Sequence, residues 1–487
     1  MTRRHFGWRY LLTLSCLAVL AAGCATGTPP ETGPDSSGTS TAGQSEADLQ
    51  LLNGTPNGAW ESSYEPLDAG PVLIRGGTVM TAAGEEIKGG DVLLVGGRIE
   101  AVGVGLDAPP DASIIDAAGR FVTPGIIDSH SHLGVYPSPG VEGMGEGNEA
   151  TNPVTAEVWA EHGVWPQDPG FWRALAGGVT TLQVLPGSAN LIGGRGVTLK
   201  LVPGMGVTDM MFPGAPMGLK MACGENPKRV YESRGPSTRM GNVAGYREAF
   251  IRAQKYREKW DLWLAGDRTS DRPDRDLALE TLAEVLRGNI LIQAHCYRAD
   301  DMLTMLELAQ EFGLSIRSFH HAVEAYKIRD RLAAEDVAAS MWVDWWGFKM
   351  EAFDGIPQNI ALVSDAGARA ILHTDSDLEI QVLNQNAARA MYAGRSAGLD
   401  VSRDQALRWI TINSAWALGI DGQTGSLEPG KAGDVVIWSG DPFSVYSRAD
   451  QVLIDGAVVY DRLRSDGNPV SDFELGILAD MGQRGGS

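Results

Sequence analysis

The chain has 487 residues, of which 43% are hydrophobic and 21% are charged, which is enough for one large catalytic domain and a smaller one with a sizeable core. Its formal net charge of −21 argues against nucleic-acid binding, which depends on lysine and arginine contacts to phosphate. The same charge argues against a basic face for anionic lipids, so we expect no membrane contact by the folded surface.

Residues 1–24 have the pattern of an export signal. Arg3 and Arg4 give a positive start, and the apolar run over residues 11–20 is too short to span a bilayer in comfort. The text "AAGC", which ends at Cys24, resembles a bacterial lipoprotein signal and implies that Cys24 carries the lipid anchor. The paired arginines also resemble a twin-arginine signal, although an ordinary secretion signal can begin in the same way. Either route predicts an exported protein, lipid-anchored in the cell envelope on a periplasmic or outer face.

Residues 25–68 are rich in Gly, Ser, Thr and Pro and contain few large apolar side chains. Such a segment cannot bury enough surface to offset the entropy lost on ordering. We predict a flexible linker that tethers the folded body to the membrane.

Cysteine usage excludes a disulfide scaffold. Of four cysteines, Cys16 lies in the signal and Cys24 is the predicted anchor, which leaves Cys223 and Cys296. The sequence leaves open whether these two pair or remain thiols.

Sequence typical of short β-strands occurs at both ends of the predicted folded region. Residues 69–122 contain β-branched runs separated by Gly and Asp, such as "DVLLVGGRIEAVG", and similar text returns over residues 423–465. The second segment includes "QVLIDGAVVYD", in which Asp455-Gly456 favours a two-residue hairpin turn. We predict one small β-sandwich domain built from both ends of the chain, with a tail over residues 466–487.

Between these segments, residues 123–422 alternate apolar strands with amphipathic helical stretches, the pattern of parallel βα units. Helices are predicted over residues 246–264, 276–286, 300–312 and 384–397. The eight strand candidates are, in order, "GIIDSHSH", "GVTTLQVLP", "GVTLKLV", "PMGLKMA", "NILIQAHCY", "LSIRSFHHA", "ASMWVDW" and "ARAILHTDSD". They span about 250 residues, the usual size of a (β/α)8 barrel. The predicted fold class is therefore α/β, a (β/α)8 TIM-type barrel with a small β-sandwich domain.

Polar side chains collect at the carboxyl ends of these strands, where the chemistry of a (β/α)8 barrel lies. They are His130 and His132 in the first strand, Lys220 in the fourth, His295 in the fifth, His320 and His321 in the sixth, and Asp375 in the eighth. His130 and His132 are two residues apart, so both face the barrel axis while Ser131 faces away. Imidazole and carboxylate are good ligands for divalent metals such as Zn. A lone buried histidine is usually a core residue, but several strands that end in this way predict a metal site.

With the ending "GSLEPGKAGDVVIW", these motifs make the chain similar to the amidohydrolase superfamily, metal-dependent hydrolases that join a (β/α)8 barrel to a split β domain. The resemblance covers about residues 70–462 and is greatest to imidazolonepropionase-like proteins and to metal-dependent dipeptidases related to prolidase. It implies metal ligands at His130, His132, Lys220, His295, His321 and Asp375. His321 is preferred to His320 because "AVEAYK" follows it directly.

The number of metal ions that the resemblance implies depends on which residue stands near the end of the fourth strand. Some subgroups carry a carboxylated lysine there, whose carbamate bridges two metals, and others lack it and bind one. Lys220 occupies this place, and Lys200, at the end of predicted strand three, is the weaker candidate. Alternatively, Lys220 pairs with a neighbouring acid such as Glu225. The implied cofactor is one or two divalent ions, with Zn preferred.

The same resemblance implies a mechanism that needs no serine or cysteine nucleophile. A divalent metal lowers the pKa of water from about 15.7 to about 7. Asp375 is then the general base and later the acid for the leaving nitrogen. His295 or His321 assists in polarising the scissile carbonyl and stabilising the oxyanion.

Substrate contacts are expected from residues that follow strand ends or lie in the long loop after the fourth strand. They are Tyr136, Arg195, Asn226, Arg239, Tyr297 and Glu324. The arginines are suited to clamp a substrate carboxylate, and the alternative is that they form structural ion pairs. Trp342, Trp345 and Trp346 either wall the pocket or pack against the barrel.

The leading functional prediction is an exported metal-dependent amidohydrolase that cleaves a C–N bond of a small amide or cyclic amide. The alternatives are a prolidase-like dipeptidase or carboxypeptidase, a deaminase of the same superfamily, and, from another class, an inert solute-binding lipoprotein. The expected partner is a small-molecule amide or dipeptide, and a homo-oligomer is compatible with the sequence.

Overall fold

The computed structural model describes residues 60–138, 140–202, 206–266 and 269–464. The predicted export signal, Cys24, most of the predicted linker and the predicted tail lie outside these residues. The described residues belong to one compact unit, Glu46–Ser487. Within the described ranges, no helix combines the length and the apolar character needed to cross a membrane.

The strands form two sheets of eight strands each. The first sheet contains β1 (Val72–Val79), β2 (Ile87–Val95), β3 (Arg98–Gly103), β4 (Ser113–Asp116), β5 (Phe121–Pro124), β14 (Val435–Trp438), β15 (Ala449–Ile454) and β16 (Ala457–Asp461). The second contains β6 (Ile126–Ser131), β7 (Val179–Val184), β8 (Ile192–Lys200), β9 (Gly218–Ala222), β10 (Leu291–Cys296), β11 (Ile316–His321), β12 (Ala338–Met341) and β13 (Ala370–Leu372).

Helices follow most strands of the second sheet. They are α1 (Pro169–Ala176), α2 (Glu225–Val230), α3 (Arg239–Ala265), α4 (Leu277–Arg287), α5 (Ala299–Phe312), α6 (Arg329–Ala334), α7 (Asn359–Asp365), α8 (Leu383–Ser396), α9 (Arg403–Arg408) and α10 (Ile412–Leu418). Local sequence sets their ends. In α4, for example, the side chain of Asp276 accepts from the amide of Leu279 at the start, and Gly288 takes a left-handed conformation (φ 82°) at the end.

The second sheet is the predicted barrel. Its strands lie in chain order from β6 to β13, and every residue of β6, β7 and β8 is buried. Burial on both faces is what a sheet filled by side chains inside and covered by helices outside requires. The predicted α/β barrel is therefore confirmed, and the predicted helices coincide with α3, α4, α5 and α8 within a turn or two.

One strand runs against the predicted direction. β8 is antiparallel to both β7 and β9. Only residues 185–191, seven in all, separate β7 from β8, and a parallel crossover needs a dozen or more residues. The expectation of eight parallel βα units is thus wrong for this strand, and Lys200, at its carboxyl end, lies at the opposite end of the barrel from the histidines.

The barrel is closed between β13 and β6 by a short insert, by side chains and by one backbone hydrogen bond, from the amide of Asp375 to the carbonyl of His130 at 3.2 Å. The amide of Leu372 donates to the carbonyl of Trp409 at 3.0 Å, and the amide of Ile127 donates to Ile410 at 2.9 Å. At the other end, the hydroxyl of Thr374 donates to Asp128 Oδ2 at 2.5 Å. Asp128 therefore connects the first and last strands beside the candidate site.

The first sheet combines strands from both ends of the chain, as predicted. β14 pairs antiparallel with β5, which lies next to β1. The hairpin of β15 and β16 turns at Asp455 (φ 46°) and Gly456 (φ 78°), the left-handed pair that a two-residue turn of this type requires. At the base of the barrel, Nζ of Lys200 binds Asp455 at 2.5 Å and Asp434 at 3.4 Å, which fixes β8 to this sheet.

Candidate metal centre

Three predicted ligands converge at one point at the carboxyl end of the barrel. Nε2 of His130 lies 3.4 Å from Nε2 of His132. Asp375 Oδ1 lies 3.1 Å from Nε2 of His132 and 3.5 Å from Nε2 of His130. These three ligand atoms are within 4.8 Å of one another, close enough to share one ion.

A chain of hydrogen bonds assigns the proton on His130. Gln293 donates through Nε2 to the carbonyl of Ala417 at 2.9 Å, so its Oε1 is the acceptor for Nε2 of His320 at 2.7 Å. Burial lowers the pKa of both His320 and His130 well below the usual range, so both rings are neutral. Nδ1 of His320 must then accept from Nδ1 of His130 at 2.9 Å. His130 is left with a lone pair on Nε2, the atom that faces His132 and Asp375.

His132 is oriented in the same way. Its Nδ1 donates to the carbonyl of Leu185 at 2.8 Å, which leaves Nε2 directed at Nε2 of His130 and at Asp375. Nε2 of His130, Nε2 of His132 and the Asp375 carboxylate therefore face one point, and imidazole nitrogens and a carboxylate are common ligands of divalent metals. This donor set fits a divalent cation.

His295 and His321 each present a buried nitrogen without a partner. Nε2 of His295 and Nδ1 of His321 make no hydrogen bond, and an unsatisfied buried polar atom is costly. Nδ1 of His295 is held at 3.0 Å by the hydroxyl of Ser188, and Nδ1 of His321 lies 3.8 Å from Asp375 Oδ2. The two ring centroids are 4.6 Å apart. Open nitrogens of this kind are what a metal ligand needs.

The geometry favours His321 over His320, because both nitrogens of His320 are engaged by Gln293 and His130. His320 is better placed to orient His130 than to bind an ion. The role of each ligand stays a prediction from the sequence.

Lys220 lies beside this centre. Its Nζ is 3.3 Å from Nε2 of His130, and its side chain is wholly buried. Burial lowers the pKa of Lys220 to about 7, so a large fraction of the amine is uncharged at neutral pH. The nearby acid that the sequence suggested as an alternative partner, Glu225, pairs with Lys349 instead.

Sequence reasoning missed two residues of the centre. His373 accepts the backbone amide of His321 at 3.2 Å through Nε2, and burial lowers the pKa of His373 to about 3, so its neutral ring carries the proton on Nδ1. Asp128 accepts from the amide of His130 at 3.1 Å. Both residues had a signal in the sequence: each stands two positions before a predicted ligand, so each shares its face of the strand.

Backbone conformation is unusual at the same strand ends. His321, Ala322 and Asp375 have φ values of 69°, 30° and 55°, a region that residues other than glycine rarely adopt. Such conformations cost of order 1–3 kcal/mol each and cluster at functional sites. Here they aim the side chains of His321 and Asp375 into the centre.

Aromatic side chains surround the histidines. Trp342 stacks on His321 with centroids 4.3 Å apart, and Trp345 stacks on Trp342 at 4.9 Å. Tyr297 is 4.5 Å from the ring of His295, and Tyr136 is 5.5 Å from the ring of His132. Two of the six predicted substrate contacts, Tyr136 and Tyr297, therefore lie directly against candidate ligands.

The other four predicted substrate contacts have different neighbours. Arg195 pairs with Leu219 in the β8–β9 register, so its side chain points away from Lys220 and donates to Thr281 on α4 at 2.9 Å. Arg239 forms a paired contact with both oxygens of Asp301, at 2.9 and 3.0 Å, and binds Glu351.

Glu324 accepts from the amide of Ala299 at 2.9 Å and so caps α5. Asn226 accepts from Nζ of Lys349 at 2.9 Å. The structure thus does not bring Arg195, Arg239 or Glu324 to the histidines, and Asn226 is separated from His295 by two side chains, those of Lys349 and Tyr297.

Cys223 and Cys296, whose pairing the sequence left open, form a disulfide. It joins the end of β9 to the end of β10, next to His295. The disulfide is buried.

Comparison with known proteins places this centre in a family. The amidohydrolase family model matches residues 244–460. The crystal structure of an amidohydrolase from Thermotoga maritima MSB8 is 38% identical, covers 80% of this chain and 100% of that chain, and has a TM-score of 0.75.

Two curated relatives are similar along most of this chain. The amidohydrolase tasK of Hapsidospora irregularis is 34% identical over 438 residues, which is 81% of this chain and 44% of tasK. The imidazolonepropionase of Sphingopyxis alaskensis is 24% identical over 395 residues, 76% of this chain and 92% of that protein. The chain therefore spans less than half the length of tasK.

The chain belongs to the amidohydrolase family. The relatives it matches are named as enzymes, two amidohydrolases and an imidazolonepropionase, so the family supports the prediction of an enzyme.

Proposed function

We propose that the protein is an exported, metal-dependent amidohydrolase that cleaves the C–N bond of a small amide, cyclic amide or dipeptide with an activated water. The observation that carries the proposal is the convergence of Nε2 of His130, Nε2 of His132 and Oδ1 of Asp375 at one point, with Nζ of Lys220 beside it. Zinc is the favoured ion because the donors are imidazole and carboxylate.

The residues divide the chemistry among themselves. A bound divalent metal supplies Lewis-acid chemistry, which lowers the pKa of water from about 15.7 to about 7 and polarises a carbonyl. His130, His132, His295 and His321 would hold the ion, and Lys220, as an amine or a carbamate, would support one ion or two. Asp375 is close enough to the same point to take a proton from water and return it to the leaving nitrogen. Trp342 and Tyr297 exclude water from the imidazole faces.

The decisive experiment joins elemental analysis of the purified protein to an activity screen with dipeptides and cyclic amides, repeated after chelation. We expect one or two equivalents of metal per chain and hydrolysis that chelation abolishes and metal restores. Release of ammonia in place of a carboxylate and a larger amine would identify a deaminase. Metal-free protein that is fully active, or metal-loaded protein without turnover on any member of the screen, would refute the proposal.

The variants Asp375→Asn and Lys220→Ala resolve the roles. A general acid–base contributes about 10²- to 10⁴-fold, so Asp375→Asn should lose that much kcat while the fold is retained. Two ions per chain that fall to one or none in Lys220→Ala would establish a bridging carbamate, and one ion unaffected by the change would exclude it.

Export and anchoring through Cys24 are part of the proposal. The Cys223–Cys296 disulfide supports export, since disulfides persist in oxidising compartments. Fractionation of cells that express the wild type or Cys24→Ala tests it: the wild type should pellet with membranes and label with palmitate, and the variant should do neither. Equal distribution of the two proteins would contradict lipidation.

A further inference from the structure

Lys349 lies close to the metal centre, in the loop that follows β12. Its Nζ is 4.3 Å from the centroid of the Tyr297 ring, which in turn is 4.5 Å from the ring of His295. The positive charge of Lys349 is therefore one side chain away from a candidate metal ligand. The sequence drew attention to this loop only through its tryptophans.

The contacts of Lys349 leave part of its hydrogen-bonding capacity unused. An ammonium group has three N–H donors. One bonds to Oδ1 of Asn226 at 2.9 Å, a second is directed at Oε1 of Glu225 at 3.6 Å, and the third has no hydrogen-bond acceptor among the described residues. The side chain is 17% exposed, so its ammonium can be reached from solvent while being shielded enough to bind strongly.

Neighbouring charges leave this cation available. Arg239 already neutralises Glu351, the other acid close to Lys349. Arg195 and Arg239, which the sequence suggested for a substrate carboxylate, are held by Thr281 and Asp301. Lys349 is a cation that lies close enough to the histidines to bind the substrate carboxylate that Arg195 and Arg239 were expected to bind.

Apolar side chains flank Lys349 on the same loop. Trp346 and Phe348 are each 53% exposed, and Phe348 lies 6.1 Å from Tyr297 and 5.9 Å from Trp342 between ring centroids. Large aromatic surface left open beside a buried cluster is typical of a ligand-binding surface.

We propose that Lys349, with Asn226, binds a carboxylate of the substrate, and that Trp346 and Phe348 contact an apolar side chain next to that carboxylate. This inference rests on the proposed function and narrows its substrate to N-acyl amino acids and dipeptides with an apolar residue beside the free carboxylate. Hydrolysis adds one water across the amide bond, so the carbonyl carbon gains the hydroxyl, the nitrogen gains the proton, and an acid and an apolar amino acid leave.

Binding and turnover are tested with probes that differ only at the carboxylate. For binding, 3-phenylpropanoate and 3-phenylpropanol, which have no C–N bond, are titrated calorimetrically into the metal-loaded full chain. For turnover, N-acetyl-L-phenylalanine is compared with N-(2-phenylethyl)acetamide. The proteins are the wild type, Lys349→Met, Lys349→Arg and the control Lys88→Met, which replaces an exposed lysine of β2.

Loss of a charged hydrogen bond should weaken binding of 3-phenylpropanoate to Lys349→Met at least tenfold. Lys349→Arg and Lys88→Met should retain the affinity. The wild type should prefer N-acetyl-L-phenylalanine in kcat/KM, and Lys349→Met should lose most of that preference through KM. A wild type that binds the carboxylate no better than the alcohol, or a Lys349→Met that matches the wild type, would overturn the inference.

The two proposals fail in distinguishable ways. Metal-dependent hydrolysis of both amides with no effect at Lys349 refutes the carboxylate site alone. A Lys349-dependent affinity for 3-phenylpropanoate without hydrolysis of any amide refutes the proposed function and leaves the carboxylate site standing.

Discussion

The antiparallel direction of β8 leads to a prediction about the stability of a Lys200 variant. Its side chain is 3% exposed and its Nζ bridges Asp434 and Asp455, which are 1% and 12% exposed. In Lys200→Met the two carboxylates stay buried without their cation. Breaking a buried ion pair from one side costs about 3–5 kcal/mol.

The expected shift in melting temperature follows from the size of the chain. At about 2.1 cal/mol/K per residue, the unfolding entropy of 487 residues is about 1 kcal/mol/K. Lys200→Met should therefore melt about 3–5 °C below the wild type in scanning calorimetry. Lys88→Met should melt with the wild type.

Two further measurements test the reasoning. Adding Asp434→Asn and Asp455→Asn to Lys200→Met should recover part of the loss, because no unpaired charge then remains buried. Metal content and kcat/KM of Lys200→Met, measured below its transition, should equal those of the wild type. Loss of metal or activity with an unchanged melting temperature would place Lys200 at the histidine end and refute the strand direction.

Three more predictions concern β8 and the segments next to it. Burial raises the pKa of Glu161 from 4.5 to about 7, so the folded protein holds this proton more tightly than the unfolded chain, and its stability falls as the pH rises from about 4.5 to about 7. Glu161→Gln should remove this loss, which is about 3 kcal/mol at the upper end of the range. Urea unfolding across this pH range measures it, and a pH profile equal to that of the wild type would contradict the prediction. Ser188→Ala should leave His295 less firmly oriented and weaken metal affinity about 10- to 100-fold without a change in melting temperature, as competition with a chelator would show. Gly194 has φ 103°, and a Cβ there would collide with the carbonyl oxygen of Val158. Gly194→Ala should therefore lower the free energy of unfolding by about 2 kcal/mol or more in denaturant titrations. An unchanged free energy of unfolding would mean that the backbone there relaxes freely.

Much of the architecture could be predicted because local patterns agree with the global fold. Apolar runs of strand length alternate with amphipathic helical segments, and a barrel needs only that order. The β8 direction was missed because a strand's own sequence does not encode its orientation. The information was in the connection: residues 185–191 are too few for a crossover helix.

The candidate ligands could be predicted because strand ends and the two-residue alternation determine which side chains share a face. The contacts of Arg195 and Arg239 could not be predicted. A basic residue near a strand end has the same sequence pattern whether it binds a substrate or a side chain on a helix. Lys349 was overlooked for a related reason. Its neighbours Asn226 and Tyr297 come from two other strand ends and meet it only in the folded chain.

β8 runs from one end of the barrel to the other, so it connects the base sheet to the loop that precedes it beside His295. Residues 192–196 of β8 pair with β9, residues 197–200 pair with β7, and the far end is fixed to the base sheet through Lys200. The loop that carries Ser188 is thus held at both of its ends, by β7 before it and β8 after it. Substitutions in the loop after β12, which carries Trp346, Phe348 and Lys349, should therefore change substrate preference while the histidines stay in place.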